Sequence, residues 1–157
     1  MERATVIFFL ASFGMALVVI GANIWDSQQP NMEDDRILDV CLQDHTNDIT
    51  HYHAALIIEI RGEQQTIPAE TGVSPGCMRG IHTHDETGKL HIETPEPMDA
   101  RLEHFFEIWG ESFTDSSLLG ATVEAGESIT LTVDGEVVDD PANHLLADGQ
   151  ELVLKLE

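Results

Sequence analysis

Histidines recur in this chain at the spacing of a β-strand. His51-Tyr52-His53 and His82-Thr83-His84 are both H-x-H steps, and His91 follows the second within IHTHDETGKLHIE. Side chains alternate across a strand with period two, so each step puts both rings on one face. In Tyr52–Ile60 the positions Tyr52, Ala54, Leu56, Ile58 and Ile60 form an apolar stripe. His51, His53 and Glu59 fall on the opposite face with Ala55 and Ile57. Strands that separate imidazoles from aliphatics in this way must bury one face and present nitrogen on the other.

The second cluster can be read as a hairpin. Ile81–His84 and Lys89–Glu93 flank the turn-like run Asp85-Glu86-Thr87-Gly88. A two-residue or a four-residue loop gives one register, pairing His84 with Lys89 and His82 with His91. Opposed residues share a face, with Cβ atoms roughly 4.5–5.5 Å apart. His82, His84 and His91 then gather on one side, and Ile81, Thr83, Leu90 and Ile92 on the other. A slip of one residue would move His91 to the wrong face.

Histidine is the commonest protein metal ligand. The clusters therefore predict a transition-metal site built on His82, His84 and His91, with His53 or His51 completing the set. Imidazole-rich sites suit Cu(II) and Zn(II). Asp85 and Glu93 are candidates to orient the rings from behind. The plainer reading, solvated histidines on strand faces, suits a lone histidine better than five in this arrangement. His104 lies off the apolar stripe of its segment and reads as a solvated surface residue. His144, between Asn143 and two leucines, reads as structural.

Charge narrows the partners. The 157 residues carry 29 acidic and seven basic side chains, for a formal charge of −22. Nucleic-acid binding needs Lys and Arg to neutralise phosphates, so that role is excluded. Attraction to anionic headgroups is excluded on the same ground. A field of this sign draws cations.

Three segments follow from hydropathy. Thr5–Trp25 carries no charge and is long enough to span a bilayer, for which roughly 20 residues suffice. It is expected to be an uncleaved transmembrane anchor (residues 1–25) rather than a signal peptide, since a clear A-x-A-like site is missing. Arg3 favours a cytoplasmic N-terminus, giving a single-pass protein with an extracytoplasmic C-terminal domain. Residues 26–36, polar and containing Pro30, read as a linker, and residues 37–157 as the domain. Outside the cytoplasm Cys41 and Cys77 are expected to form a disulfide.

The rest predicts an α+β fold. Leu102, Phe105, Phe106 and Trp109 fall at i, i+3, i+4 and i+7 of a helix, with Asp99 as N-cap and Gly110 as its stop. Ser128–Asp134 alternates, Asp134-Gly135 signals a hairpin, and Glu151–Leu156 reads as a last strand. The expected domain is a compact, mainly antiparallel sheet with one packed helix, β-grasp-like by analogy.

The pattern Cys41…His51-x-His53…Cys77…Ile81-His82-Thr83-His84-Asp85-x-x-Gly88-x-x-His91-Ile92-Glu93…Phe105-Phe106-x-x-Trp109-Gly110 resembles that of a family of small, membrane-anchored extracytoplasmic proteins. The resemblance covers most of the chain from Cys41 onward. It implies class and location and assigns no catalytic residue.

Familiar enzyme signatures fail. H-x-H-x-D-H begins at His82 and His84 but meets Glu86 and Thr87 where it needs Asp and His. H-E-x-x-H, the P-loop and the G-x-S-x-G elbow are absent from the sequence. Asp85 and Glu93 would be the carboxylate pair of a small metal-dependent hydrolase, though a turn aspartate and an exposed strand glutamate are the simpler description. The leading reading is a membrane-anchored metal-binding domain that captures, delivers or senses Cu or Zn beside a membrane partner. Its rival is a metal-free structural or interaction subunit of a membrane complex.

Overall fold

The structure is a computed structural model that describes residues 35–45 and 50–157. A 3-10 helix at Asp35–Asp39 opens it. Strands β1 (Cys41–Leu42), β2 (Thr50–Ile60), β3 (Glu63–Gln65), β4 (Val73–Ser74), β5 (Cys77–Arg79), β6 (Ile81–His82) and β7 (Lys89–Thr94) lead to helix α1 (Leu102–Trp109). Strands β8 (Phe113–Thr114), β9 (Ser117–Leu118), β10 (Ala121–Thr122), β11 (Ile129–Val133), β12 (Glu136–Val138) and β13 (Glu151–Leu156) follow.

A seven-stranded sheet runs β12-β11-β13-β2-β7-β6, with β3 paired to β2. Its long central strand β2 pairs parallel with β13, Leu56 opposite Leu152. On its other edge β2 pairs antiparallel with β7. The alternation seen in sequence now has a physical use. Ala54, Leu56 and Ile58 of β2, Leu90 and Ile92 of β7, and Leu152, Leu154 and Leu156 of β13 are all buried on one face. Helix α1 adds Leu102, Phe105 and Phe106 to the same core. Each such Leu or Phe contributes about 1.5–3 kcal/mol when fully buried. Gly110 ends the helix in the left-handed region, at φ 81°, and donates to the carbonyls of Phe106 and Glu107.

The α+β expectation is corrected. Sheet takes 43% of the structure and the α-helix is short, eight residues long. The helical pattern was real but brief, and segments without clear periodicity pair as strands of two or three residues, such as β1, β4 and β5. Among the described residues no helix is long and apolar enough to cross a membrane. The run Thr5–Trp25, read as an anchor, lies outside the described residues, as does most of the 26–36 segment. The helix N-cap is Arg101, not Asp99. His104 is not a solvated residue: it is buried at the helix start. Its Nδ1 accepts from the Arg101 backbone N–H at 3.2 Å, and its Nε2 lies 3.4 Å from Asp35 Oδ1.

Candidate metal centre

The face of β2, β7 and β6 turned away from the core carries the histidines. His53 pairs with His91 across β2–β7, and His91 pairs with His82 across β7–β6. Three imidazoles therefore stand in one cross-strand row. One step along, His51 pairs with Glu93, and Glu93 N–H donates to the Gly80 carbonyl on the far side. The expected His82–His91 register is present. Strand pairing stops there, and residues 83–88 form a wider loop than the hairpin reading assumed.

Two devices hold the His82-Thr83-His84 step. Thr83 is buried. Its hydroxyl donates to the Pro68 carbonyl at 2.8 Å and accepts from Thr71 N–H at 3.1 Å. Gly72 lies beneath the step at φ +79°, where a Cβ would stand 2.8 Å from the Ile81 carbonyl oxygen. Beyond His84 the chain turns through Asp85, whose Oδ1 accepts from Thr87 N–H at 2.9 Å. Asp85 thus shapes the loop. Gly88 closes the turn, its carbonyl accepting from Leu56 N–H at 2.8 Å.

The ring nitrogens converge. His51 Nε2 and His53 Nε2 are 3.2 Å apart, His53 Nε2 and His91 Nδ1 3.1 Å, and His82 Nε2 and His84 Nε2 3.2 Å. Bonds of roughly 2.0–2.1 Å to a tetrahedral Zn(II) separate neighbouring ligand nitrogens by about 3.3 Å. The observed separations match the edge of such a shell. His82 is also set in a single tautomer. Its Nδ1 donates to the Arg79 carbonyl at 3.0 Å, which leaves Nε2 with its lone pair toward the cluster.

Glu93 is the centre of the arrangement. It is 0% exposed, unlike the exposed strand glutamate that the sequence suggested. Its Oε2 accepts from His45 Nδ1 at 2.7 Å. Among the described residues its Oε1 has no hydrogen-bond partner. Around Oε1 stand His51 Nε2 at 3.2 Å, His91 Nδ1 at 3.8 Å and His82 Nε2 at 3.9 Å. A buried carboxylate oxygen without a partner costs roughly 1–3 kcal/mol or more. A cation among those nitrogens would remove that cost.

Burial also sets proton affinity. Desolvation, reinforced by His53, His84 and His82, lowers the His91 pKa to about 4 against the opposing pull of Glu93. Desolvation likewise lowers that of His82, against its bond to Arg79 and the charge of Glu93. Both rings are therefore neutral near pH 7 and able to act as ligands.

His82, His84, His91 and Glu93 form one group whose ligand atoms lie within 4.8 Å of one another, and His51, His53 and His91 form a second. All five histidines singled out in the sequence are brought together. Glu93 lies among the potential ligands rather than behind them. His45 was missed. It stands outside any H-x-H step, and only the fold brings its ring within 5.6 Å of His84. The Cys41–Cys77 disulfide gave the one signal, since it draws the segment before His45 onto the strand before His82. His144 stays apart, its Nε2 3.3 Å from Gln150 Oε1.

The domain thus contains a histidine- and glutamate-lined cluster able to hold a metal ion, and a disulfide. No family model, curated protein or solved structure matches the chain.

Proposed function

We propose that this domain binds Cu(II) or Zn(II) and captures the ion, hands it to a membrane partner or senses it. The single observation that carries this reading is the buried Glu93 Oε1, without a hydrogen bond among the described residues and facing three imidazole nitrogens. Imidazole donors suit both ions, and the affinity order favours copper. Rings already neutral at His82 and His91 lower the proton competition that metal binding meets. The formal charge of −22 concentrates cations at the surface. The disulfide fits an oxidising, extracytoplasmic compartment, and the uncharged run Thr5–Trp25 fits a place at a membrane.

Elemental analysis of the full chain, purified without a His-tag, should find bound copper or zinc. Calorimetric titration with each ion should then give an affinity that falls at least about 100-fold, near 2.7 kcal/mol, in the His82→Ala, His84→Ala, His91→Ala triple variant. Equally weak binding by both proteins would defeat the reading and leave the metal-free interaction subunit in its place.

A further inference from the structure

We infer that the cluster is a two-ion centre, in which His91 and Glu93 are shared between the ions. The inference rests on the metal-binding reading above and deepens it. Three observations carry it. First, the cluster has more donors than one ion uses. His82, His84, His91 and Glu93 make one group and His51, His53 and His91 another. Zn(II) and Cu(II) are normally satisfied by four or about five ligands.

Second, one ion cannot reach them all. Within each group the ligand atoms are no more than 4.8 Å apart, and the two groups, which share His91, do not merge into one. Ligands held at roughly 2.1 Å lie at most about 4.2 Å apart across a single ion. Each group is therefore near the size of one shell, and their union exceeds it.

Third, the shared residues have the chemistry of bridges. His91 belongs to both groups, and its neutral ring can hold one metal at each nitrogen once binding of the second ion releases the remaining N–H proton to water. Its Nδ1 already contacts His53 Nε2 at 3.1 Å, while its ring centroid lies 4.7 Å from that of His84. Glu93 Oε1 approaches His51 Nε2 of the second group at 3.2 Å and His82 Nε2 of the first at 3.9 Å. A carboxylate between two cations offsets their mutual repulsion, and the acidic chain supplies the remaining negative field. His45, bonded to Glu93 Oε2 at 2.7 Å, orients that carboxylate rather than adding a third site.

The two groups can be removed separately. The full chain, free of any His-tag, is loaded with Cu(II) or Zn(II), desalted and assayed for metal per protein. Wild type should hold two equivalents. His51→Ala with His53→Ala should leave one, and His82→Ala with His84→Ala should also leave one. The Cu(II)-loaded wild type should show the half-field electron paramagnetic resonance signal of a coupled pair, absent from both double variants. His51 is exposed and His53 half-buried, so the first double variant leaves the core intact. The wild-type spectrum needs no variant at all. One equivalent without a half-field signal would overturn the two-ion centre and leave the metal-binding reading standing. Metal-free protein after loading would overturn both.

Discussion

The domain buries histidine in two places, and the two differ in where the ring nitrogens go. At the start of α1, His104 is 1% exposed. One nitrogen accepts from the Arg101 backbone and the other faces Asp35. Both nitrogens are used by the protein itself. On the β2–β7–β6 face, His82 is equally buried. Only its Nδ1 has a backbone partner, and Nε2 points at another imidazole nitrogen. Burial alone therefore does not mark a site. Convergence of lone pairs on a carboxylate with an open oxygen does.

The largest effect should come from adding metal. A ligand that binds only the folded state stabilises it by about 4.1 kcal/mol at about 1,000 times its Kd. For a domain of this size that raises Tm by roughly 8–16 °C. Wild type should show this shift by calorimetry. The His82→Ala, His84→Ala, His91→Ala variant should not, whereas His104→Ala should keep it. A shift retained by the triple variant would erase the distinction between the two regions.

Reducing the disulfide comes next. The bridge spans a sequence separation of 36 and ties the segment before His45 to β5. Its loss should lower stability by about 2–4 kcal/mol, read as a drop in the urea midpoint. Mass spectrometry of unreduced protein should show the Cys41–Cys77 crosslinked peptide. Two freely alkylated thiols would contradict it. Reduction should also weaken metal binding, because Arg79 in β5 holds His82 and the segment after Cys41 carries His45. The His104 region should be less affected.

The sequence was most legible where two-fold alternation is strict. The β2 and β7 faces, the His82–His91 register and the Asp134-Gly135 turn could all be read from local spacing. The apolar stripe of α1 could be read the same way. What escaped depends on contacts distant in sequence. His45 joins the cluster through a contact with Glu93, 48 residues away. Glu93 is buried because strands on both sides and His45 above enclose it. His104 sits off the apolar stripe, so its side seemed solvated. Asp35, 69 residues away, contacts its outer nitrogen. The parallel β13–β2 pair joins the last strand to the first long one, which no turn signal can announce.

His104→Ala should be the smaller structural lesion. It removes the acceptor for Arg101 N–H and leaves a gap beneath the helix start. An unsatisfied buried donor costs about 1–3 kcal/mol. Urea unfolding should detect that loss with the metal stoichiometry unchanged. A change in stoichiometry would mean that the two regions are coupled.

The smallest effect is one of pH, and it tests the electrostatics of the cluster. His91 has a folded-state pKa near 4, below the roughly 6.5 of an unfolded-chain imidazole. Between those values the unfolded chain binds a proton that the folded one does not. Stability then rises with pH across that window. It is fully present above about 6.5 and is lost as pH falls toward about 4. Buried His82 acts in the same direction. Metal-free protein should therefore show a urea midpoint that falls as pH is lowered from about 7 to about 4.5. His91→Gln should flatten that slope, because glutamine does not titrate. An unchanged slope in His91→Gln would mean that the ring meets no desolvation penalty in the fold. The convergence of neutral nitrogens on Glu93 would then lose its electrostatic basis.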